Sequence, residues 1–381
     1  MSWLNKKHVL STVGLLFALA SGGGFAQDAK SAASAEEEVV AFKAPPRTIK
    51  DVIRAVENGK VDEAEVARAK EVIALPVPQT TDSAELRKYY LQRAEAHQRM
   101  GQIALAIQDM RLVTSKYPSS IPQFMVNDWS TLARFEQRGG SMIKAIEAIE
   151  KARSSINRNI LGNYMFINRL AVGFYSQLGD FEAAEKSLRE AEATMVILRG
   201  SPNLGLYVKS LEADLEASRG IYFMYQGKWV EAERSLRRGI RLRRENWEQI
   251  EATPMATTDD AKTLRSRQRL GFKQDLAYRQ LDLSHAILMQ GRLVEAEVNA
   301  RDGLALMLEV FNKNSTEVAN ALNRLTRIVS EQGRAAEAVM LAEETIKTLK
   351  AGNAADEAIS YVNARKSMGA ALVSDRKFKQ A

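Results

Sequence analysis

A glycine, an apolar side chain two residues later and an alanine three residues after that recur along the chain, and this trio limits the fold more than any other feature. It stands at Gly101-Gln-Ile103-Ala-Leu-Ala106, Gly140-Ser-Met142-Ile-Lys-Ala145, Gly179-Asp-Phe181-Glu-Ala-Ala184 and Gly227-Lys-Trp229-Val-Glu-Ala232. It returns at Gly291-Arg-Leu293-Val-Glu-Ala296 and Gly333-Arg-Ala335-Ala-Glu-Ala338, and Gly59-Lys-Val61-Asp-Glu-Ala64 matches as well. The glycines are separated by 42, 39, 39, 48, 64 and 42 residues. Each slot has a physical reason. Glycine allows the left-handed turn between two antiparallel helices, the apolar residue packs the second helix back on the first, and alanine lets the backbones approach closely. One such hairpin cannot cover its own apolar face, so hairpins of this kind stack in series of at least about three.

The rest of the chain agrees with helices in series. Beyond Thr48 apolar residues recur at three and four, strand-like alternation is scarce, and the 8 prolines avoid most of these segments. The hairpins resemble the tetratricopeptide repeat, whose first helix carries a bulky residue, an apolar–small pair and an aromatic before the turn. Around turn 101 the matching residues are Tyr90, Ala94, His97, Ile103, Ala106, Met110 and Pro118. Around 140 they are Trp129, Leu132, Ala133, Ala145, Ile149 and Ala152, and around 179 they are Ala171, Tyr175, Phe181, Ala184, Leu188 and Ala191. Around 227 stand Gly220, Phe223, Trp229, Ala232, Leu236 and Gly239. Leu283, Ser284, Ile287, Ala296, Ala300 and Gly303 serve turn 291, and Leu325, Val329, Ala338 and Ala342 serve turn 333. The unit at 59 matches only from Val52 onward. Tyr361, Gly369, Leu372, Phe378 and Ala381 fit the template once more, with Asp375-Arg376 at the turn. The resemblance implies an all-α fold, a right-handed α-solenoid of antiparallel hairpins over residues 47–381. The long spacings require lengthened helices or loops, the largest around Thr253–Thr258, where a change of solenoid direction is one expectation.

The first 26 residues read differently. Lys6 and Lys7 precede an apolar run from Val9 to Ala20, and Gly24-Phe25-Ala26 supplies small residues before Gln27, the pattern of a secretory signal peptide cleaved after Ala26. The run is shorter than the roughly 18 residues a spanning helix needs. A periplasmic or secreted location follows as an expectation, in keeping with the absence of cysteine. Residues 27–46, with Glu36-Glu37-Glu38 and Pro45-Pro46, read as a flexible linker.

With no cysteine, disulfide frameworks, thiolate metal sites and thiol nucleophiles are excluded, and His8, His97 and His285 are the only imidazoles. No phosphate-binding glycine loop, His-Glu-x-x-His or Gly-x-Ser-x-Gly occurs, and Ser141-Met-Ile-Lys144 lacks the partner motifs of serine acyl-enzymes. No enzyme activity, metal or cofactor is therefore expected. The formal net charge is +7, and without residues 1–26, which hold two lysines and no acid, it is +5. Lys228–Lys273 carries 12 basic and 7 acidic residues, an equal excess. Within it Arg234, Arg237, Arg238, Arg241 and Arg244 recur along one helical face, either a solvated outer face or a grip for an acidic peptide, an anionic envelope polymer or lipid headgroups. Nucleic acid is not expected, because no stacking aromatics interleave the arginines.

The resemblance places a groove on the first helices of the hairpins, lined here by Asn127, Arg134, Arg169, Tyr278, His285, Asn320, Asn323 and Arg327. Amide and guanidinium groups of this kind hold a peptide backbone or a carboxylate. The expectation is an interaction scaffold in the bacterial envelope that binds a protein or peptide, with no membrane-spanning segment after cleavage. Two alternatives stand beside it. One is a sensor arm of a larger enzyme, for example a CHAT-type protease with its effector beyond Ala381; the other is a module for anionic glycans or lipids.

Overall fold

Gly101, Gly140, Gly179, Gly227, Gly291 and Gly333 all have φ between +73° and +89°, a backbone conformation that costs other L-residues roughly 1–2 kcal/mol. Each stands between two antiparallel helices. The computed structural model describes residues 48–376, leaving out 61–62, 157–159, 202–203, 206, 255–256, 353 and 355–357; the expected signal peptide, the whole linker, Phe378 and Ala381 lie outside the described residues. Among the described residues there are fifteen α-helices and no strand. Two precede the repeats, α1 (Lys50–Glu57) and α2 (Glu63–Ala74). Six hairpins follow: α3 (Ser83–Arg99) with α4 (Ile103–Ser115), α5 (Pro122–Arg138) with α6 (Met142–Ser155), and α7 (Leu161–Leu178) with α8 (Phe181–Arg199). The next are α9 (Tyr207–Tyr225) with α10 (Trp229–Ala252), α11 (Asp259–Leu288) with α12 (Leu293–Val310), and α13 (Thr316–Glu331) with α14 (Ala335–Ala351). A last helix, α15 (Ile359–Ser374), packs on α13 and α14, and the turn after it has Arg376 at φ 59°.

Local sequence sets the helix starts. Asp180 accepts a hydrogen bond from the Ala183 N–H at 3.0 Å, Ser315 one from Val318 at 3.2 Å, and Pro122 opens α5, where its missing N–H is not needed. Packing then joins the hairpins. Met110, Ile149, Ile167 and Phe174 fill a core shared by α3–α7; Met165, Met195 and Leu198 fill one shared by α7–α9; Leu236, Ile287, Met307, Leu322 and Leu325 fill the core beyond. Tyr175 packs against the first two cores and Phe223 against the last two, so apolar contact runs unbroken from hairpin to hairpin.

The wide spacing between Gly227 and Gly291 is taken up by helix length. α10 has 24 residues and α11 has 30, the latter about 45 Å at 1.5 Å per residue. The two pack along each other across the connection at Thr253–Thr258, with Trp247 stacked on Phe272 at 5.0 Å, and hairpin stacking continues through it.

The unit at Gly59 departs from the expected hairpin. Gly59 is not left-handed, Ala64 is exposed, and α1 packs on α12 rather than along α2. Ile49, Val52 and Val56 enter the core of the later hairpins. Arg301 donates to the Asp51 carboxylate at 2.6 Å and to the Thr48 carbonyl at 2.9 Å, while the Lys313 backbone N–H donates to the Lys60 carbonyl at 3.0 Å. A Cβ on Gly59 would lie 2.9 Å from the Lys313 Cβ, so glycine is needed here for close approach. The first hairpin also reaches the last: a Cβ on Gly101 would lie 2.6 Å from the Gly352 carbonyl oxygen and 3.4 Å from the Ala354 Cα.

Candidate binding groove

The first helices of the second to sixth hairpins bring their polar faces together. Arg138, at the end of α5, reaches Glu317, at the start of α13, at 3.5 Å, so the second and sixth hairpins meet through an ion pair. Between them runs α11, whose Asp275, Tyr278, Asp282 and His285 recur at helical spacing on one face. Tyr278 keeps 36% of its surface exposed, yet burial raises its hydroxyl pKa well above the usual phenol range, helped by Glu317 and opposed by Arg138 and Arg134. A side chain that is both open to solvent and strongly desolvated lies in a recess.

One end of this recess is neutralised from within. Arg169 of α7 meets Asp214 of α9 at 2.8 Å, and Arg279 of α11 meets Asp214 at 2.6 Å and Asp275 at 3.0 Å, with a further bond to the Ala213 carbonyl at 2.9 Å. Arg243 of α10 completes the cluster, meeting Asp214 at 2.5 Å and also pairing with Asp275. Burial alone would raise the Asp214 carboxyl; the three guanidiniums override it and hold it at about 2. Desolvation and the neighbouring guanidiniums outweigh Asp214 at Arg169, whose pKa falls.

The other end is less compensated. Among the described residues Arg134 of α5 has one hydrogen bond, to the Thr131 hydroxyl at 3.3 Å, and its Nε is buried without a partner; burial followed by repulsion from Arg138 lowers its pKa. Arg324 of α13 approaches Asp282 only at 3.9 Å, and its pKa is lowered by burial. Arg327 contacts the Met289 thioether at 3.4 Å. Asn323 Oδ1 and His285 Nδ1 are buried without hydrogen-bond partners. Burial, and then Arg324 and Arg327, push the His285 imidazole down to about 3, so it is neutral at physiological pH and its edge packs on Trp229 at 5.7 Å.

Of the residues expected to line the groove, the structure links Arg134, Arg169, Tyr278, His285 and Arg327 into this electrostatic set and leaves Asn323 half-buried on the same helix as Arg327. Asn127 is half-buried on α5 and Asn320 exposed on α13; neither is tied to the set by a contact. Sequence reasoning missed Arg138, Asp214, Arg243, Asp275, Arg279, Asp282, Glu317 and Arg324. Except for Asp214, they lie one residue or one helical turn from a residue that was named, so a charge count around each named residue would have found them.

The exposed stripe on α10 is largely paired. Arg237 meets Glu233 at 2.8 Å and Glu295 at 2.5 Å, Arg238 meets Glu216 at 3.5 Å, Arg241 meets Glu245 at 4.0 Å, and Arg244 acts on Asp302. Arg234 is exposed on the same face. His97 is a packed histidine, its Nδ1 2.7 Å from Gln102 Oε1 across the first turn. Ser141 is the residue before α6, and Lys144 is exposed. Among the described residues there is no metal-ligand cluster, and no helix is long and apolar enough to cross a membrane.

Comparison with known proteins agrees with this architecture at one hairpin. The tetratricopeptide repeat family model matches residues 170–193, the turn from α7 into α8. No curated protein matches the chain. Similar solved structures include BtubC from P. vanneervenii (18% identity, TM-score 0.40, 66% of this chain and 92% of that one). A Rap protein complexed with competence and sporulation factor has 11% identity and a TM-score of 0.49 over 87% of this chain and 94% of that one. A STAND protein with a tetratricopeptide repeat sensor from Pyrococcus horikoshii has 13% identity and a TM-score of 0.47 over 86% of this chain and 44% of that one.

Proposed function

We propose that the chain is a non-enzymatic scaffold of the bacterial envelope that binds a protein or peptide partner in the groove walled by α5, α7, α9, α11 and α13. The observation that carries this reading is the recess itself: Tyr278 open to solvent yet desolvated, beside the unpartnered Arg134 Nε and, one hairpin on, the unpartnered Asn323 Oδ1. Buried polar atoms without partners are costly, and a bound main chain with its carboxylates supplies what they lack. The repeat match at residues 170–193 supports a binding role, because hairpin arrays use such inner surfaces for recognition. The N-terminal pattern of Lys6, Lys7 and the Val9–Ala20 run supports the envelope location.

Affinity capture from an envelope extract tests the reading, with the native groove compared with an Asn323→Ala, Arg327→Ala double variant. Partners held by the native chain and released by the double variant are expected. A double variant that retains every partner contradicts a groove site.

A further inference from the structure

The two ends of the groove treat positive charge in opposite ways. Around Arg169, Arg243 and Arg279 the chain supplies its own acids, Asp214 and Asp275, at hydrogen-bond distance. Around Arg134, Arg324 and Arg327 it does not. Among the described residues Arg134 has no acidic partner, Arg324 is 3.9 Å from Asp282, and Arg327 rests on a thioether. The Arg134 and Arg324 guanidiniums are withdrawn from water without a carboxylate at hydrogen-bond distance, an unfavourable arrangement whose cost an anion brought by a ligand removes, and Arg327 stands exposed on the same helix as Arg324.

Resting on the groove reading above, we infer that the partner presents an acidic peptide segment, with one carboxylate on Arg134 beside Tyr278 and another on Arg324 and Arg327. Tyr278 can donate its hydroxyl to the first carboxylate, and Asn323 Oδ1 can accept a backbone N–H near the second. The span fits such a segment. Tyr278 and His285 are two turns apart on α11, about 10 Å at 1.5 Å per residue, and an extended peptide covers that in about three residues.

Fluorescence anisotropy with the purified chain tests this, using fluorescein-labelled hexaglutamate as probe, hexaglutamine as its neutral counterpart, and Arg134→Gln, Arg327→Gln and Arg234→Gln variants checked for folding by circular dichroism. Binding of hexaglutamate, at least tenfold tighter than hexaglutamine and weakened at least tenfold by Arg134→Gln or Arg327→Gln, is expected. Arg234→Gln, on the outer face of α10, leaves it unchanged. Arg327 is exposed, so its variant reports even if Arg134→Gln fails to fold. Equal affinity for the two peptides overturns the inference, as does no binding of either. A loss with Arg234→Gln as large as with Arg327→Gln moves the site to the outer face and overturns it too. Capture of a partner that the Asn323→Ala, Arg327→Ala variant releases, together with no hexaglutamate binding, leaves the groove standing and removes only its preference for acids.

Discussion

Five residues after the left-handed glycine of each of the six hairpin turns stands an alanine with no exposed surface: Ala106, Ala145, Ala184, Ala232, Ala296 and Ala338 are all at 0%. The side chain there meets the partner helix, and a methyl group is all the space allows. Ala64, at the same distance from Gly59, is exposed. The spacing made the two positions look alike; only the conformation of the preceding glycine, set by what packs against it, separates them. Ala184→Leu is accordingly expected to cost about 1–3 kcal/mol through overpacking, whereas Ala64→Leu stays within about 0.5 kcal/mol of the native chain. Urea unfolding midpoints of the two variants check this. Equal midpoints would show that the slot is not a helix–helix contact.

Elements were legible where a local signal fixes them. The turns of the six hairpins follow from glycines that only a left-handed bend requires, and the Trp229–Ala252 helix begins at an aromatic two residues past its glycine, as the pattern asks. The lengthening of α10 and α11 was legible as an excess of residues, but whether helix or loop absorbs the excess depends on a tertiary contact, the Trp247–Phe272 stack. α1 was not legible as a strap. Its Ile49, Val52 and Val56 stripe announces an apolar face without saying what covers it, and the partner, α12, is more than two hundred residues further along the chain. Because Val52 is only 5% exposed against that distant core, Val52→Asp is expected to detach α1 and destabilise the chain by more than about 2 kcal/mol. Hydrogen exchange reads it directly. Amides of α12 lose protection in the variant, and unchanged protection there would mean that α1 contributes no stability to the later hairpins.

At the scale of the array, each hairpin adds a small rotation, and the sum brings the turn at Gly101 against the Gly352–Ala354 connection and Arg138 against Glu317. No residue encodes that sum, so the first helices could be named as groove-lining from sequence while the charges facing one another across the groove could not. The same convergence gives the groove its character, because it is what desolvates Tyr278, Arg134 and Arg324 together. The chain contains no cysteine, so a pair introduced as Gln102→Cys and Ala354→Cys is free of competing thiols. Mild oxidation, followed by mapping of the linked peptides, tests the convergence. A rapid disulfide within one chain, from the first hairpin to the last connection, is the predicted result; two thiols that stay unlinked and fully reactive to maleimide, in a chain of unchanged helicity, would contradict it.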